Sequence, residues 1–390
     1  MGSFCCFLTL LIISVFTILF IPFLWCFSYP SSHDYISTPH PPSPFSPPST
    51  VKLSPEQIKA YQDNGLLVLR NVMPPDIMSK LDSAASDLAT NQTLHCAMAR
   101  YGGPPIFHKY SFFCIWPDMV HDYFRDALLY SPMAHVASQL MGDQPVRMFN
   151  TFTMGNEAGE TIPVRWHADH GVFTGGDSCD NGLVMWMPLK DTSVYEANGM
   201  VFAEKSHKLH KEVIRNGTWA KFQSSISGLL QILSFYKNIG ETYESVKPTL
   251  NVGDVVIFSK CTVHSASGIN SLGKQRYAWQ IRFLTDPQPM VRGLYQPYPE
   301  MGDKYDTGTG FISGVRYPRI FPTTLPEEDR VRGAGHVTLT RMEWLRLMLS
   351  YPDHLLISNF VRTLESLGAF NPHHPIIRNL VGILEYFKII

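Results

Sequence analysis

The spacing of apolar residues changes character along the 390-residue chain. Residues 76–89 and about 119–141 repeat apolar positions at helical intervals, which predicts helices with one buried face. From Val146 to Phe283 the pattern changes to short β-rich runs divided by Gly, Pro, Asn and Asp, which is typical of an antiparallel sandwich or barrel. Beyond residue 340 the helical spacing returns. The pattern therefore predicts a mainly β, α+β fold in which helices flank the β core.

The folded part of the chain is expected to begin with a capped helix. Ser54 is the predicted N-cap, Pro55 the first helical residue and Gln57 the capping-box partner, and the helix should stop at Asn64-Gly65. A buried strand over residues 66–72 is predicted to follow. The clearest strands of the β-rich region are Val146–Phe152, Leu183–Met187, Gly199–Phe202, Asp254–Phe258 and Arg276–Phe283.

The N-terminal segment has the composition of a membrane anchor. Phe4 to Phe27 contains no charged residue, and its roughly 24 residues exceed the ~20 that span a bilayer core. We expect residues 1–28 to be a single-pass anchor in the endoplasmic reticulum or another endomembrane. A cleaved signal peptide with a secreted or lumenal product is the alternative. No Lys or Arg precedes the segment and the first one after it is Lys52, so its orientation cannot be read.

Composition divides the rest of the chain and excludes some partners. The Pro/Ser-rich residues 29–50 indicate an extended linker, which leaves 51–290 as the main folded domain and 291–390 as a largely helical extension packed on it. A net charge of -1 argues against a nucleic-acid partner. Outside the N-terminal segment, four cysteines are too few and too scattered to predict a disulfide framework. The two N-glycosylation triplets, which begin at Asn91 and Asn216, matter only if the domain faces a lumen.

The candidate chemistry lies in a His-x-Asp pair and one distant histidine. His167 and Asp169 would project from the same face if they lie in one strand, and His264 is expected to end another strand, after the turn at 251–254. Two imidazoles and one carboxylate suit Fe(II) and leave coordination sites open for chemistry. His170 is interpreted as a neighbouring loop or supporting residue rather than a ligand.

An arginine is expected to anchor a carboxylate near this metal site, because guanidinium offers two parallel donors. Arg276 and Arg282 both follow His264, and alternation places them on one face of a strand. Arg276 is the predicted anchor, whereas Arg282 is expected to be a solvated strand arginine.

Several motifs, in the same order along the chain, resemble the phytanoyl-CoA dioxygenase family. The resemblance covers about residues 51–285 and is carried by Leu53-Ser54-Pro55-Glu56-Gln57, Gly65 to Val72, Trp166-His167-Ala168-Asp169, Asn198-Gly199-Met200, Lys205-Ser206-His207-Lys208, Gly253-Asp254 and His264 to Asn270. Glu204-Lys205 replaces the family's usual Pro-Gly before Ser206-His207, so that turn is a point of departure.

The resemblance implies a double-stranded β-helix (jelly-roll) fold and dependence on Fe(II), 2-oxoglutarate and O2. It implies that His167, Asp169 and His264 are the iron ligands. The residues that it implies for the cosubstrate pocket are Arg276 and Ser267 as carboxylate anchors, Trp186 as a lining residue, and Lys109 and Phe152 as weaker matches.

The resemblance also implies the reaction. Related halogenases lack the carboxylate ligand, and Asp169 fills that position here, which favours oxidation of a C–H bond with release of succinate and CO2. The N-terminal anchor, the aromatic stretch 112–116 and the C-terminal helices favour a small lipophilic substrate. A non-catalytic, membrane-tethered binding module and a metalloenzyme using another metal in the same site stay open as alternatives.

Overall fold

The computed structural model describes residues 50–91, 96, 110–172, 178–190, 200–216, 226–269, 275–285 and 319–321. The anchor predicted over 1–28, almost all of the linker, most of 291–390 and Lys109 lie outside these ranges, so the predicted domain boundaries stay predictions. Among the described helices, none combines the length and the apolar character needed to cross a bilayer.

Six α-helices occur in the described residues. They are α1 (Pro55–Asn64), α2 (Pro75–Thr90), α3 (Asp122–Tyr130), α4 (Met133–Leu140), α5 (Ser206–Arg215) and α6 (Ile226–Thr242). The capping box predicted for α1 is present: the Ser54 hydroxyl accepts from the Gln57 backbone N–H, and the Gln57 side chain accepts from the Ser54 N–H. Gly65 ends α1 with a left-handed φ of 76°, which glycine adopts without steric cost.

The described strands form two antiparallel sheets. In chain order they are β1 (Leu66–Leu69), β2 (Phe112–Ile115), β3 (Val146–Asn156), β4 (Thr161–His167), β5 (Gly182–Pro188), β6 (Met200–Ala203), β7 (Ser245–Val246), β8 (Val255–Ser259), β9 (His264–Ile269), β10 (Arg276–Thr285) and β11 (Arg319–Phe321). The larger sheet has the order β1-β8-β5-β10-β3-β11, with β2 also paired to β3, and the smaller has β4-β9-β6-β7. From β3 to β10 the chain passes repeatedly between the two sheets, which is consistent with the expected jelly-roll topology.

Helices cover the outer faces of both sheets. Helices α2 and α4 lie against β3 and β10 of the larger sheet, and α6 lies against β4 and β6 of the smaller. All the residues of β5 and β8 are buried, which explains their continuous apolar sequences. The mixed α+β architecture with antiparallel sheets is therefore confirmed.

One expectation from the sequence, about the cysteines, was wrong. The four cysteines outside the N-terminal segment form the disulfides Cys96–Cys114 and Cys179–Cys261. Strand pairing explains the second one: Leu183 of β5 lies opposite Ser259 of β8, so the residues just before β5 and just after β8 meet. Spacing along the chain gave no sign of this contact. The aromatic stretch 112–116 is buried, and the Phe113 ring packs on Phe152 with centroids 5.3 Å apart, so its expected role toward a lipophilic substrate stays a prediction.

Candidate metal centre

The smaller sheet brings the three predicted ligands together. His167 ends β4 and lies directly opposite His264, which begins β9. The pairing shifts register between Val164 and His167, so the strand bends where the first ligand emerges. Asp169 lies beyond the strand, in a short helical turn over Asp169–Val172. The expectations that His167 and Asp169 share a strand and that His264 ends one were wrong, because β4 stops at its bulge and β9 starts at the ligand.

The three side chains are close enough to share one ion. One ligand atom from each of His167, Asp169 and His264 lies within 4.8 Å of the other two. His167 Nε2 is 3.7 Å from Asp169 Oδ1, and the two imidazole rings have centroids 4.2 Å apart. Asp169 and His264 are buried, whereas the His167 side chain is 35% exposed, so the centre is open on that side.

Backbone carbonyls fix which nitrogen of each imidazole faces the centre. His167 Nδ1 lies 2.8 Å from the Arg165 carbonyl oxygen, and His264 Nδ1 lies 2.9 Å from the Thr262 carbonyl oxygen. A carbonyl only accepts, so each Nδ1 carries the hydrogen and each Nε2 keeps its lone pair. This is the tautomer in which imidazole binds a metal through Nε2.

The Asp169 carboxylate is held by two side chains of β10. Arg282 donates from Nε at 3.0 Å and from an Nη at 2.8 Å, both to Asp169 Oδ2, and Gln280 Nε2 is 3.5 Å from the same oxygen. Burial by itself raises the pKa of Asp169, but the electrostatic interactions with Arg282 and, after it, with the two histidines outweigh burial and leave the pKa below its ordinary value. The carboxylate is therefore ionised, and Oδ1 remains on the side of His167.

Burial keeps His264 neutral. Desolvation, followed by the charge of His167, lowers the pKa of His264 to about 3. A neutral imidazole can donate its lone pair to a metal at physiological pH. The donor set of two imidazoles, each with Nδ1 turned to a backbone carbonyl, and one ionised carboxylate therefore fits Fe(II).

Strand β10 also carries the predicted carboxylate anchor. Arg276 is buried, and its guanidinium carbon lies 6.0 Å from the centre of the Trp186 ring. Burial lowers the pKa of Arg276 to about 10, so it is still a cation at neutral pH. Gln280 lies opposite Trp186 of β5 on one side and Phe152 of β3 on the other. Arg276 lies in β10, and Trp186 and Phe152 lie on the two strands that flank it. The same strand carries Gln280 and Arg282, whose side chains contact Asp169.

Two predicted pocket residues are described less fully. Ser267 lies in β9 opposite Pro163, three residues after His264, and its side chain lies outside the described part of the structure, as does the whole of Lys109. Their predicted roles toward the cosubstrate stay predictions.

Arg282 is the functional residue that the sequence reading missed. It was expected to be solvated, but it is buried, contacts Asp169 and lies 4.7 Å from the Phe152 ring centre. The signal was present in the sequence: Arg282 is an even number of positions from Arg276, so both point to the same interior face. The charge of Arg282 indicates exposure only as long as the carboxylate that it contacts, 113 positions away, is unknown.

The segment leading into His264 is fixed from several sides. Val263 N–H donates to the buried Ser206 hydroxyl at 2.8 Å, and Thr262 donates to the Gly65 carbonyl at 2.6 Å. Ser206 follows Lys205, which takes the left-handed φ of 66° where the related turn has glycine. The turn is therefore formed despite the Glu204-Lys205 replacement, and Ser206 serves to hold the chain just before His264.

A second apolar cluster supports the back of the centre. It comprises Ala168, Cys179, Ala203, Ile214, Ile232, Tyr236, Ile239, Cys261 and Val263. Gly240 of α6 approaches Trp166 so closely that an added Cβ would lie 2.0 Å from the indole, which places α6 directly behind the motif. His170 packs against His210, with ring centroids 5.2 Å apart, as expected for a residue outside the ligand set.

Comparison with known proteins identifies one sequence family. The family profile described as phytanoyl-CoA dioxygenase (PhyH) matches residues 61–277, which include all three candidate ligands and Arg276. No curated protein sequence matches the chain. The family match confirms the resemblance seen in the motifs and the expected use of Fe(II), 2-oxoglutarate and O2.

Solved structures give a likeness of fold. The non-heme α-ketoglutarate-dependent carbocyclase SnoK from nogalamycin biosynthesis has a TM-score of 0.50 and 18% identity, covering 70% of this chain and 99% of its own. The epimerase SnoN, solved with Fe3+, α-ketoglutarate and nogalamycin RO, has a TM-score of 0.48 and 18% identity, covering 67% of this chain and 93% of its own. EctD from S. alaskensis, solved with 2-oxoglutarate and 5-hydroxyectoine, has a TM-score of 0.46 and 16% identity, covering 69% of this chain and 93% of its own. At 18% identity, the likeness to SnoK supports a common fold and leaves the substrate open.

Proposed function

Because the chain belongs to the phytanoyl-CoA dioxygenase family, we propose that it uses Fe(II), 2-oxoglutarate and O2 to oxidise a C–H bond of a small organic substrate. Hydroxylation is the reaction we favour, with release of succinate and CO2. The observation that carries the proposal is the meeting of His167, Asp169 and His264 within 4.8 Å, a set of two imidazoles and one carboxylate that suits a ferrous ion.

Each residue of the centre has a separate task in this proposal. The ligand atoms would be His167 Nε2, His264 Nε2 and an Asp169 oxygen, and iron bound there would supply the oxidising chemistry. The Arg165 and Thr262 carbonyls hold the two imidazoles in the ligating tautomer. Arg282 holds Asp169 in place through Oδ2.

The cosubstrate would be oriented by the positive charge of Arg276. A guanidinium pairs with a carboxylate through two parallel hydrogen bonds, and it binds most strongly when the pair is shielded from water. Arg276 is buried beside Trp186, on the same strand as the residues that contact Asp169. This arrangement supports binding of the distal carboxylate of 2-oxoglutarate, with the indole excluding water.

The complete carboxylate-containing triad favours oxygen insertion over halogenation. A halide would need the coordination site that Asp169 would fill in this chain. For the substrate, we propose a lipophilic molecule, supported by the apolar N-terminal segment.

The test is turnover of 2-oxoglutarate by anaerobically purified protein loaded with Fe(II). Succinate should form on addition of O2 and disappear in His167→Ala, with His135→Ala as the control for substitution of a histidine outside the centre. A binding module would give no succinate, whether or not a candidate substrate is added. A different metalloenzyme would instead turn over substrate without O2 or 2-oxoglutarate.

The substrate itself can be sought by comparing metabolites of cells that express the wild type or His167→Ala. A compound that gains one oxygen only with the wild-type chain would identify the substrate. An enriched product that is water-soluble and carries no apolar skeleton would contradict the proposed lipophilic class while leaving the oxygenase assignment intact.

A further inference from the structure

Two asparagines that begin N-glycosylation triplets lie exposed at the ends of helices. Asn91, of Asn91-Gln92-Thr93, directly follows α2, and Asn216, of Asn216-Gly217-Thr218, directly follows α5. The acceptor triplet Asn-x-Ser/Thr is used only where the asparagine is accessible. Such triplets also arise by chance, so exposure makes modification feasible but does not establish the compartment.

The disulfides are an independent observation about that compartment. Cys96–Cys114 and Cys179–Cys261 join all four cysteines of the described chain, and all four side chains are buried. Disulfides form and persist in oxidising compartments and are rare where glutathione and thioredoxin keep thiols reduced. Two buried disulfides therefore favour folding in the secretory pathway, which is also where N-glycans are attached.

From these two observations we propose that the catalytic domain folds in the lumen of the secretory pathway and carries N-linked glycans on Asn91 and Asn216. The proposal does not rest on the oxygenase chemistry. It also chooses between the two orientations that the N-terminal segment left open, because the part of the chain after residue 50 must then cross the membrane. Both an uncleaved anchor and a cleaved leader would deliver the domain there.

Both modifications have a defined chemistry. In glycosylation, the asparagine Nδ2 forms a bond to the anomeric carbon of an oligosaccharide, a lipid pyrophosphate leaves that carbon, and Nδ2 loses one proton. Nδ2 of Asn91 donates to Asp87 Oδ1 at 2.8 Å, and the one N–H that remains after glycosylation can still make that bond. Each disulfide forms when two thiols lose two protons and two electrons to a thiol oxidant of the same compartment.

The first experiment follows glycosylation of the full chain, with a C-terminal tag, expressed in eukaryotic cells. Treatment with an amidase that removes N-glycans should lower the apparent mass. Asn91→Gln and Asn216→Gln should each remove one glycan-sized step, and the double variant should remove the whole shift. Thr93→Ser keeps the triplet and should keep the glycan, and Asn251→Gln changes an exposed asparagine outside any triplet and should change nothing.

The outcomes separate cleanly. A chain that shows no amidase-sensitive shift overturns the proposal. If the amidase removes the mass of only one glycan, the proposal holds for the asparagine whose substitution abolishes that mass change, and it is overturned for the other asparagine. These outcomes are distinct from failure of the proposed function, because they are read from the mass of the chain without any turnover.

The second experiment reads the disulfides in the same cells. Free thiols are blocked with maleimide when the cells are lysed. The chain is then digested, and its cysteine-containing peptides are identified by mass spectrometry before and after reduction. Peptides joined as Cys96–Cys114 and Cys179–Cys261, together with protection of the tagged domain from protease in intact microsomes, support a lumenal domain. Maleimide on all four cysteines and digestion of the domain from the outside would overturn it.

Discussion

At the scale of single residues, the Asp169 carboxylate is where most of the charges of the site meet. Its two oxygens are in different surroundings: Oδ2 accepts from Arg282, and Oδ1 lies 3.7 Å from His167 Nε2. An orienting partner of this kind typically changes metal affinity by about 10- to 100-fold when it is removed. Arg282 is therefore a positioning residue, which acts on the metal through Asp169.

We expect Arg282→Gln to weaken metal binding by roughly 10- to 100-fold, because the carboxylate loses the donor that fixes its orientation. Anaerobic titration with Fe(II), or with Co(II) as a spectroscopic probe of the ligand field, measures the effect. Arg276→Gln is the matched control on the same strand: it should weaken 2-oxoglutarate binding and leave metal affinity near that of the wild type. Tighter metal binding by Arg282→Gln would show instead that Arg282 competes with the metal for Asp169.

The turn before α5 provides a second prediction. Lys205 has a φ of 66°, and a left-handed conformation costs a residue with a Cβ about 1–2 kcal/mol. Lys205→Gly should therefore raise the free energy of unfolding by about 1 kcal/mol, as measured by urea denaturation. Lys208→Gly, an exposed position within α5, should lower it by about 0.5–1 kcal/mol because glycine is a poor helix former. Equal effects of the two substitutions would contradict this account of the turn.

At the scale of elements, β9 depends on contacts that anchor the residues just before it. The Cys179–Cys261 disulfide ties the segment before β5 to the one after β8, and Ser206 holds Val263. These contacts fix the chain immediately before His264. The first ligand is placed differently, by the bulge at the end of β4.

Removal of Cys179–Cys261 by a paired serine substitution should destabilise the fold by about 2–4 kcal/mol, because the bond closes a loop with a sequence separation of 82. Chemical denaturation measures this loss. The matched pair Cys96–Cys114 closes a separation of only 18, so its removal should cost less by the same entropic argument. Only the first variant should also weaken metal binding, since only that bond adjoins His264. If both variants bound metal as the wild type does, the support of β9 would not depend on the disulfide.

At the scale of the whole molecule, two sheets enclose the site and helices cover their outer faces. Burial behind the smaller sheet leaves neutral imidazoles in the interior, and His210 is one that the proposed chemistry does not use. Desolvation lowers the pKa of His210 to about 3 from an ordinary value of 6.5. His210 lies among aromatic rings of α6, 6.2 Å from Phe235 and 5.6 Å from Tyr236 by ring centroids.

This burial predicts loss of stability in mild acid. The unfolded chain takes up a proton on His210 below pH 6.5, whereas the fold does not until the pH approaches 3, so the free energy of unfolding falls across that window. One such histidine contributes a loss of about 2 kcal/mol at pH 5. Urea denaturation of chelator-treated protein at a series of pH values should show a shallower dependence for His210→Phe than for the wild type. The same slope in both proteins would assign the acid sensitivity to other groups.

The sequence predicted the elements better than it predicted the contacts between them. The α1 capping box, the strands β3, β5, β6, β8 and β10 and the three ligands were all visible as local patterns, because caps, alternation and motif spacing are set by neighbours along the chain. The same local patterns predicted Asp169 inside a strand and Arg282 in solvent. The first error concerns where a strand ends, and the second concerns which residue lies opposite a side chain. Both depend on residues that are distant in the sequence.

What the sequence alone determined is the chemistry available: two histidines, one carboxylate and an interior arginine in an order that one family uses. What only the tertiary structure decided is the environment of those groups: the Asp169–Arg282 pair, the carbonyls that select the imidazole tautomers and the two disulfides. The Asp169–Arg282 pair and the two disulfides join residues 113, 18 and 82 positions apart, and these distances follow from strand register and sheet packing. Each carbonyl lies only two residues before its imidazole, but the backbone conformation that turns the ring onto it is set by the folded chain around β4 and β9.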